Sequence, residues 1–292
     1  MLKELIRSMT PPLVWQLARR LWLNQPVQTP DSSVPEWEYI PEGWDYLDQH
    51  PEVKGWNVSE VLAVYQEKWP RFVEMVQGTT PLGISHESNL ATKTDIVSHN
   101  IMITFGYAIA LAAQGRQSLT FLDWGGGIGH YYLLSKALLP NITINYHCKD
   151  VPVLTNYGQE LFPHAHFYAD ESCLEQTYDF VLVSGSLQFS QDWLGILNRL
   201  SQVTGNYLLV TNCPTLQQTP SFVFIQRPYK YGYNTEYLGW CLNRHELITC
   251  CQTAGLELVR EFVNGHRPLI KNAPEQNEYR GFLFRKTVGS HP

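Results

Sequence analysis

The sequence predicts an α/β protein whose core is a doubly wound, mostly parallel β-sheet. Short apolar segments alternate with helical segments from residue 118 onwards, a glycine cluster follows the first of them, and no helix separates the last two. Strands that alternate with helices are joined by right-handed crossovers and lie parallel, whereas two strands without an intervening helix pair antiparallel. We therefore expect seven strands, of which the last is antiparallel.

Each element is predicted by its apolar period and by the residues that end it. The strand candidates are 118–123, 142–148, 166–169, 178–184, 207–211, 256–263 and 281–285. The helix candidates are 59–77, 90–113, 130–139, 153–161, 193–200 and 245–254. Gly115 and Gly255 follow two of these helices, as glycine commonly does at helix C-termini.

We expect the chain to divide into an N-terminal helical and irregular extension, residues 1–89, and an α/β domain, residues 90–288. Residues 25–60 are rich in Pro, Asp, Trp and Gly, which predicts an irregular wrap or a linker. Residues 222–240 are unusually aromatic and form an insertion after the fifth strand candidate. Two interpretations of this insertion carry equal weight: a lid over an acceptor molecule, or a packed insertion that could contact a second copy of the chain.

An apolar stripe near the start of the chain predicts one further helix. Leu13, Leu17 and Leu21 repeat at helical spacing after Thr10-Pro-Pro, where a helix can begin. A helix packed on its own domain is favoured. The alternative is a weakly basic contact of residues 1–25 with a membrane surface or a partner.

Composition excludes several classes of protein. Hydrophobic residues make up 44% of the 292 residues and charged residues 16%, which predicts a folded core. The net charge of -6 disfavours a nucleic-acid binder. The apolar stretch 101–113 is too short to span a bilayer, and the N-terminus does not resemble a secretory signal. The six cysteines lack metal-binding spacing, so we expect reduced thiols, no bound metal and a cytoplasmic protein.

The most informative motif is the run Asp123-Trp-Gly-Gly-Gly-Ile-Gly129, which follows a predicted strand and opens a predicted helix. Dinucleotide-binding loops need a third glycine, but His130 or Tyr132 stands in its place. The Gly-Lys-Ser/Thr of phosphate-binding loops is absent as well. An acidic loop without phosphate-binding features favours a cationic ligand.

This D-x-G-x-G-x-G pattern resembles the first motif of the class I S-adenosylmethionine-dependent methyltransferases, which have a Rossmann-like fold. The resemblance implies that Gly125, Gly127 and Gly129 let the backbone approach the methionine part of S-adenosylmethionine, and that Asp123 faces its amino group. Three further segments resemble later motifs of that family. They imply ribose binding by Asp150 with Val151, a position near adenine for Asp170, and a position beside the transferred methyl group for Ser184.

More narrowly, the whole chain resembles a bacterial family of uncharacterised methyltransferases with an N-terminal helical extension. The segments that carry this resemblance are the glycine run, Ser184-Gly-Ser-Leu-Gln188 and Tyr279-Arg-Gly-Phe-Leu-Phe-Arg285. The expected reaction is methyl transfer to a small-molecule or glycan-precursor acceptor, with oxygen as the expected methylated atom.

The sequence does not single out a general base, and methyl transfer does not always need one. The candidates for residues at the acceptor are His99, His266, Ser186, Gln188 and Asn212, with His86 as a further histidine near the predicted site. They are chosen from their places at strand ends or beside the glycine loop, without any chemical signature.

Three other functions remain open. A non-catalytic methyltransferase-like partner subunit is disfavoured by the intact Asp123 and Asp150. An NAD-dependent oxidoreductase is disfavoured by the missing third glycine, and a nucleic-acid methyltransferase by the acidic charge balance. Whether the chain forms a homo-oligomer is also left open by the sequence.

Overall fold

A computed structural model describes residues 34–84, 95–231, 233 and 235–287. The compact unit to which nearly all of these belong begins at Pro35. The helix expected around Leu13, Leu17 and Leu21, and the candidate His86, lie outside the described residues.

The described part of the chain alternates between strands and helices. The strands are β1 (Trp37–Ile40), β2 (Ser118–Trp124), β3 (Thr143–Lys149), β4 (His166–Tyr168), β5 (Tyr178–Ser184), β6 (Thr204–Leu216), β7 (Phe222–Gln226), β8 (Tyr237–Asn243), β9 (Leu256–Val263) and β10 (Glu278–Lys286). The helices are α1 (Tyr46–Gln49), α2 (Ser59–Gln77), α3 (Ile96–Ala112), α4 (His130–Leu138), α5 (Pro152–Leu161), α6 (Trp193–Val203) and α7 (Arg244–Thr253).

Seven of the strands form the expected Rossmann-like sheet. Its order is β4-β3-β2-β5-β6-β10-β9, and β10 is antiparallel to both of its neighbours. The prediction of a mostly parallel, doubly wound sheet with an antiparallel last strand is confirmed. The order reverses beside β2, because β3 lies on one side of it and β5 on the other. In open α/β sheets, ligands bind in the crevice at such a point, beyond the carboxyl ends of the strands.

Side chains of the sheet alternate between two apolar cores. Phe121 and Phe180 face one core, with Phe105 of α3 and Leu134 of α4. Leu122 and Val181 face the other core, together with residues of α6 and α7. Since successive residues of a strand point to opposite faces, this alternation also fixes the face of each residue at the strand ends.

Some helices and strands begin or end at other residues than predicted, because hydrogen bonds determine where they start and stop. The helix expected over 90–113 begins at Ile96, because Asp95 caps its N-terminus. The Asp95 Oδ1 accepts a hydrogen bond from the Val97 N–H at 3.0 Å, and the Asp95 Oδ2 accepts one from the Ser98 hydroxyl at 2.7 Å. The fifth and last strands of the sheet are longer than expected, at Thr204–Leu216 and Glu278–Lys286, because β10 pairs along most of β6.

A smaller antiparallel sheet joins the N-terminal region to the 222–240 insertion. Strand β1 pairs with β7, and β7 pairs with β8. Strand β8 then runs parallel to the last two residues of β6, beyond the part of β6 that pairs with β5. The segment expected to be an irregular wrap therefore contains a strand, and the insertion is largely a β-hairpin. None of the helices in the described ranges is long and apolar enough to cross a membrane.

Candidate functional site

The glycine loop between β2 and α4 has a backbone that requires glycine. Gly125, Gly127 and Gly129 have φ of 77°, 62° and 97°, in the left-handed region that other residues rarely adopt. There is also no room for side chains: a Cβ on Gly125 would lie 2.2 Å from Cβ of Ser186, and a Cβ on Gly127 would lie 2.7 Å from the ring of Tyr65. Residues from β5's end and from α2 therefore pack directly on the loop.

Several N–H groups of this loop already have partners within the protein. The Gly125 N–H donates to the Lys149 carbonyl at 2.7 Å, and the Gly129 N–H donates to the Gly126 carbonyl at 3.2 Å. The Gly127 N–H donates to Oδ2 of Asp150 at 2.7 Å. A loop that binds pyrophosphate needs unpaired N–H donors facing its ligand. The arrangement therefore supports a ligand without phosphate better than a dinucleotide.

Asp150 is held rigidly at the end of β3. One carboxylate oxygen accepts from Gly127, and the other accepts from the Val151 N–H at 2.6 Å. Burial raises the pKa of Asp150, while these two backbone hydrogen bonds favour its ionised form. A carboxylate oxygen can accept more than one hydrogen bond, so both oxygens keep acceptor capacity for hydroxyl groups of a ligand.

Asp123 lies beneath the loop. It is fully buried, its Oδ2 accepts from the Tyr146 hydroxyl at 2.6 Å, and its Oδ1 has no hydrogen-bond partner among the residues that the structure describes. A Cβ on Gly126 would lie 2.4 Å from this carboxyl group, so only glycine fits above it. Burial raises the pKa of Asp123 to about 7, and the neighbouring charge of Asp150 contributes to that rise.

A cavity of about 380 Å³ opens beside this loop, at the carboxyl ends of β2, β3 and β5. Its size is within the range of small-molecule sites. Five residues predicted from the sequence line it: Gly125, Asp150, Val151, Ser184 and Ser186. Within its wall the Ser186 hydroxyl donates to the Trp124 carbonyl at 2.6 Å, and Ser184 is hydrogen-bonded to the Tyr131 hydroxyl at 2.7 Å. Both serines are thereby held in place.

Other predicted residues lie elsewhere. Gly127 and Gly129 shape the loop, and Asp123 lies below it, but none of the three is among the residues that line the cavity. Asp170 is exposed at the end of β4, where its Oδ1 accepts from the backbone N–H and hydroxyl of Ser172. These hydrogen bonds lower the pKa of Asp170.

The candidates chosen for the acceptor fall into two places. His99 lies on α3, and its Nδ1 accepts from the Leu82 N–H at 3.1 Å, away from the cavity wall. His266, Gln188 and Asn212 also do not line the cavity, although Gln188 and Asn212 share a hydrogen-bonded cluster next to it. Of this set only Ser186 contributes to the cavity wall.

The sequence analysis missed most of the aromatic side chains that line the cavity, which we call the aromatic roof; only Tyr237 belongs to the 222–240 insertion, for which a lid was one of two interpretations. Trp44, Trp56 and Tyr65 reach it from the N-terminal region, and Phe189 and Tyr237 reach it from the α/β domain. Trp56 stacks on Tyr237, with ring centroids 4.5 Å apart. The available signal was the density of tryptophan between residues 37 and 56, which we interpreted as an irregular segment.

Two lysines add positive charge to the cavity wall. Lys54 comes from the segment that precedes α2, and Lys149 stands next to Asp150. The Lys149 ammonium lies 4.8 Å from the centroid of the Trp124 ring, within reach of a cation–π interaction. Across the described ranges, no group of three or more His, Cys, Asp or Glu residues is arranged to hold a metal ion.

Comparison with known proteins gives structural similarities only. No protein-family model matches the chain, and no curated protein matches it in sequence. Among solved structures it is similar to magnesium protoporphyrin IX methyltransferase from Synechocystis PCC 6803 with bound SAH, at 13% identity and a TM-score of 0.46, covering 82% of this chain and all (100%) of that one. The structures in this comparison that the chain resembles include many S-adenosylmethionine-dependent methyltransferases.

Two further similar structures are a putative sarcosine dimethylglycine methyltransferase from Galdieria sulphuraria and the N-terminal domain of EvdMO1 in the presence of SAH and D-fucose. The first has 15% identity and a TM-score of 0.47, over 74% of this chain and 97% of that one. The second has 13% identity and a TM-score of 0.44, over 76% and 97%.

Proposed function

We propose that this protein is a cytoplasmic S-adenosylmethionine-dependent methyltransferase that acts on a small molecule or a glycan precursor, at an oxygen atom. One observation carries the proposal: the partly buried carboxylate of Asp150 lines a small-molecule cavity and at the same time binds the Gly127 N–H of the glycine loop. The Asp150 carboxylate can accept further hydrogen bonds from the hydroxyl groups of a ribose. The Gly127 N–H is already bonded to Asp150, so it is not available to bind a pyrophosphate.

The residues at the cavity fit S-adenosylmethionine. Asp150 would accept hydrogen bonds from the ribose hydroxyls, Val151 would line the adenosine part, and Ser184 would lie beside the sulfonium. The loop from Gly125 to Gly129 would border the methionine part. The Asp123 Oδ1, which has no hydrogen-bond partner among the described residues, lies beneath the loop. A cationic ligand nearby would favour the ionised form of this carboxyl group, which suits a ligand that carries an ammonium and a sulfonium.

The protein's own contribution to the reaction would be orientation. S-adenosylmethionine supplies a methyl group that is already activated by its sulfonium. The aromatic roof would limit the directions from which an acceptor can approach. Methyl transfer to a hydroxyl group also releases one proton. Since no histidine is among the residues that line the cavity, water would accept that proton.

The charge of the chain supports the proposed acceptor class. The chain is acidic, with a net charge of -6, which disfavours nucleic acid.

Isothermal titration of the purified full chain with S-adenosylmethionine, S-adenosylhomocysteine and NAD tests the proposal. We expect both adenosyl ligands to bind with one site per chain and NAD to bind far more weakly. Binding of NAD in preference to S-adenosylhomocysteine would instead support an oxidoreductase. A folded protein that binds none of the three would refute cofactor binding and favour a non-catalytic partner subunit.

A further inference from the structure

A cluster of three amide side chains lies at the same edge of the sheet as the cavity. Asn212 is the first residue of β6 beyond the end of its pairing with β5, Gln188 follows β5, and Asn264 follows β9. The Asn264 Nδ2 donates to the Asn212 Oδ1 at 3.2 Å, and the Gln188 Nε2 donates to the Asn212 carbonyl at 3.5 Å. We call these three residues the amide cluster.

The amide cluster adjoins the cavity wall. A Cβ on Gly185, which lines the cavity, would lie only 2.7 Å from the Asn212 Nδ2. Ser186, also in the wall, is separated from Gln188 by a single residue. Gly185, which has no side chain, therefore contacts both the cavity and the Asn212 amide.

Two features of the cluster are unfavourable for a purely structural group. Gln188 is 2% exposed, yet its Oε1 has no hydrogen-bond partner within the described part of the chain. Buried polar atoms are almost always paired, so such an atom needs an explanation. In addition, Asn212 has φ of 53°, a left-handed conformation that residues other than glycine adopt only occasionally, Asn and Asp most readily. Uncommon backbone conformations cluster at functional sites.

The chemistry of the cluster selects an uncharged partner. Amide groups both donate and accept hydrogen bonds, and they carry no charge. The side-chain hydrogen bonds of Gln188, Asn212 and Asn264 run only to one another and to backbone groups, as far as the described residues go, and the neutral amide of Asn100 donates to the Asn264 carbonyl at 3.1 Å. A charged group brought here would lose its hydration without gaining an opposite charge.

The nearest histidine does not change this conclusion. The backbone N–H of His266 donates to the Asn264 Oδ1 at 2.9 Å. Burial lowers the pKa of His266, and Lys230 lowers it further against the opposing effect of Asp95. The ring is therefore neutral at pH 7 and adds no positive charge near the amide cluster.

We propose that the amide cluster recognises the methyl acceptor, and that this acceptor is an uncharged molecule with several hydroxyl groups. The inference rests on the proposed methyltransferase function. In this proposal, the Gln188 Oε1 accepts a hydrogen bond from one hydroxyl group of the methyl acceptor and so orients the molecule. An amide cannot itself remove the proton of that hydroxyl group. Gln188 is thus a positioning and specificity residue.

Matched sugar probes test the proposal. Methyl glucoside, glucuronic acid and glucosamine share one ring and are neutral, anionic and cationic. Transfer of a labelled methyl group from S-adenosylmethionine to each is measured with the full chain. We expect kcat/KM to be at least about tenfold higher for the neutral probe, since a charged probe would be desolvated without a counter-charge.

Two substitutions separate recognition from cofactor binding. Gln188→Met removes the acceptor atom at similar volume, and Gln202→Met makes the same change at an exposed position on α6. We expect Gln188→Met to lower kcat/KM for the neutral probe at least about tenfold, mainly through KM, with unchanged affinity for S-adenosylhomocysteine in titration, and Gln202→Met to change neither.

The outcomes distinguish the two proposals. Absence of S-adenosylhomocysteine binding would overturn the proposed function itself. If that ligand binds, then preference for a charged probe, transfer to none of the probes, or full activity of Gln188→Met with the neutral probe would overturn the assignment of the amide cluster.

Discussion

Replacement of Asp150 by asparagine should weaken cofactor binding strongly while leaving the fold intact. In the folded protein both carboxylate oxygens accept backbone hydrogen bonds, from Gly127 at 2.7 Å and from Val151 at 2.6 Å. An asparagine can satisfy one of these N–H groups but turns its own NH₂ toward the other. A buried donor without a partner costs about 1–3 kcal/mol, which is less than the roughly 5–15 kcal/mol that stabilises a typical domain.

The loss of affinity follows from the same geometry. A hydrogen bond to a charged acceptor contributes about 1.5–3 kcal/mol, so loss of one ribose contact corresponds to a roughly 10- to 150-fold increase in Kd. A displaced Gly127 N–H would add to this, because the glycine loop borders the same cavity. We therefore expect the Kd for S-adenosylhomocysteine to rise at least about tenfold in Asp150→Asn.

The assay is isothermal titration, with circular dichroism to verify folding and two comparison variants. Glu160→Gln makes the same carboxylate-to-amide change at an exposed site on α5, and it should leave Kd unchanged. Asp170→Asn should have a smaller effect than Asp150→Asn, because Asp170 is exposed and does not line the cavity. Equal affinity of wild type and folded Asp150→Asn would refute the reasoning, and so would a larger loss in Asp170→Asn.

Three further predictions concern the loop and its buried ionisable groups. Gly127→Ala should lower the free energy of unfolding in urea by at least about 1–2 kcal/mol, because Gly127 has a left-handed φ and the new Cβ would lie 2.7 Å from the Tyr65 ring. This destabilisation should be smaller in a Tyr65→Ala background. If the effects of the two substitutions simply add, the contact between Tyr65 and the loop is contradicted. Burial raises the pKa of Asp123 from 3.8 to about 7, so the folded state holds the proton more tightly, and stability falls as pH rises from 3.8 to about 7 and is constant above that range. Asp123→Asn should therefore stabilise the protein at pH 8, by up to about 4 kcal/mol, and an unfolding free energy that drops instead would refute the shift. Burial lowers the pKa of His130 from 6.5 to about 3, so its contribution to stability is complete above pH 6.5 and is lost as pH falls toward 3. His130→Phe, in a site walled by Tyr65, Trp69 and Phe72, should flatten the acid limb of the stability–pH curve, and an unchanged limb would show that other groups cause it.

The main sheet could be predicted because its signals are local. Strands β2, β3 and β5 are short segments that are each followed by a helix, so their order and direction follow from the alternation. Asp150 could be predicted for the same reason, since its spacing from the glycine loop is set by one helix and one strand. The burial of Asp123 could also be predicted, because Phe121 and Asp123 share one face of β2 and that face is covered by α3 and α4.

The small sheet and the roof could not be predicted, because they depend on contacts between distant residues. Strand β1 pairs Trp37 with Gln226, and nothing in either segment alone specifies the other. Likewise, the stacking of Trp56 on Tyr237 and the packing of Tyr65 on Gly127 arise from tertiary packing of an N-terminal segment that has no regular period. The amide cluster draws on three separate strand ends, so only the sheet order brings it together.

A crystal structure of the full chain with S-adenosylhomocysteine would test the central claim most directly. The proposed function predicts the ribose hydroxyls within hydrogen-bond distance of Asp150 and the methionine part along Gly125 to Gly129, with the thioether sulfur facing Ser184 and Gly185. Adenosine bound outside this cavity, or a ribose that makes no contact with Asp150, would contradict it.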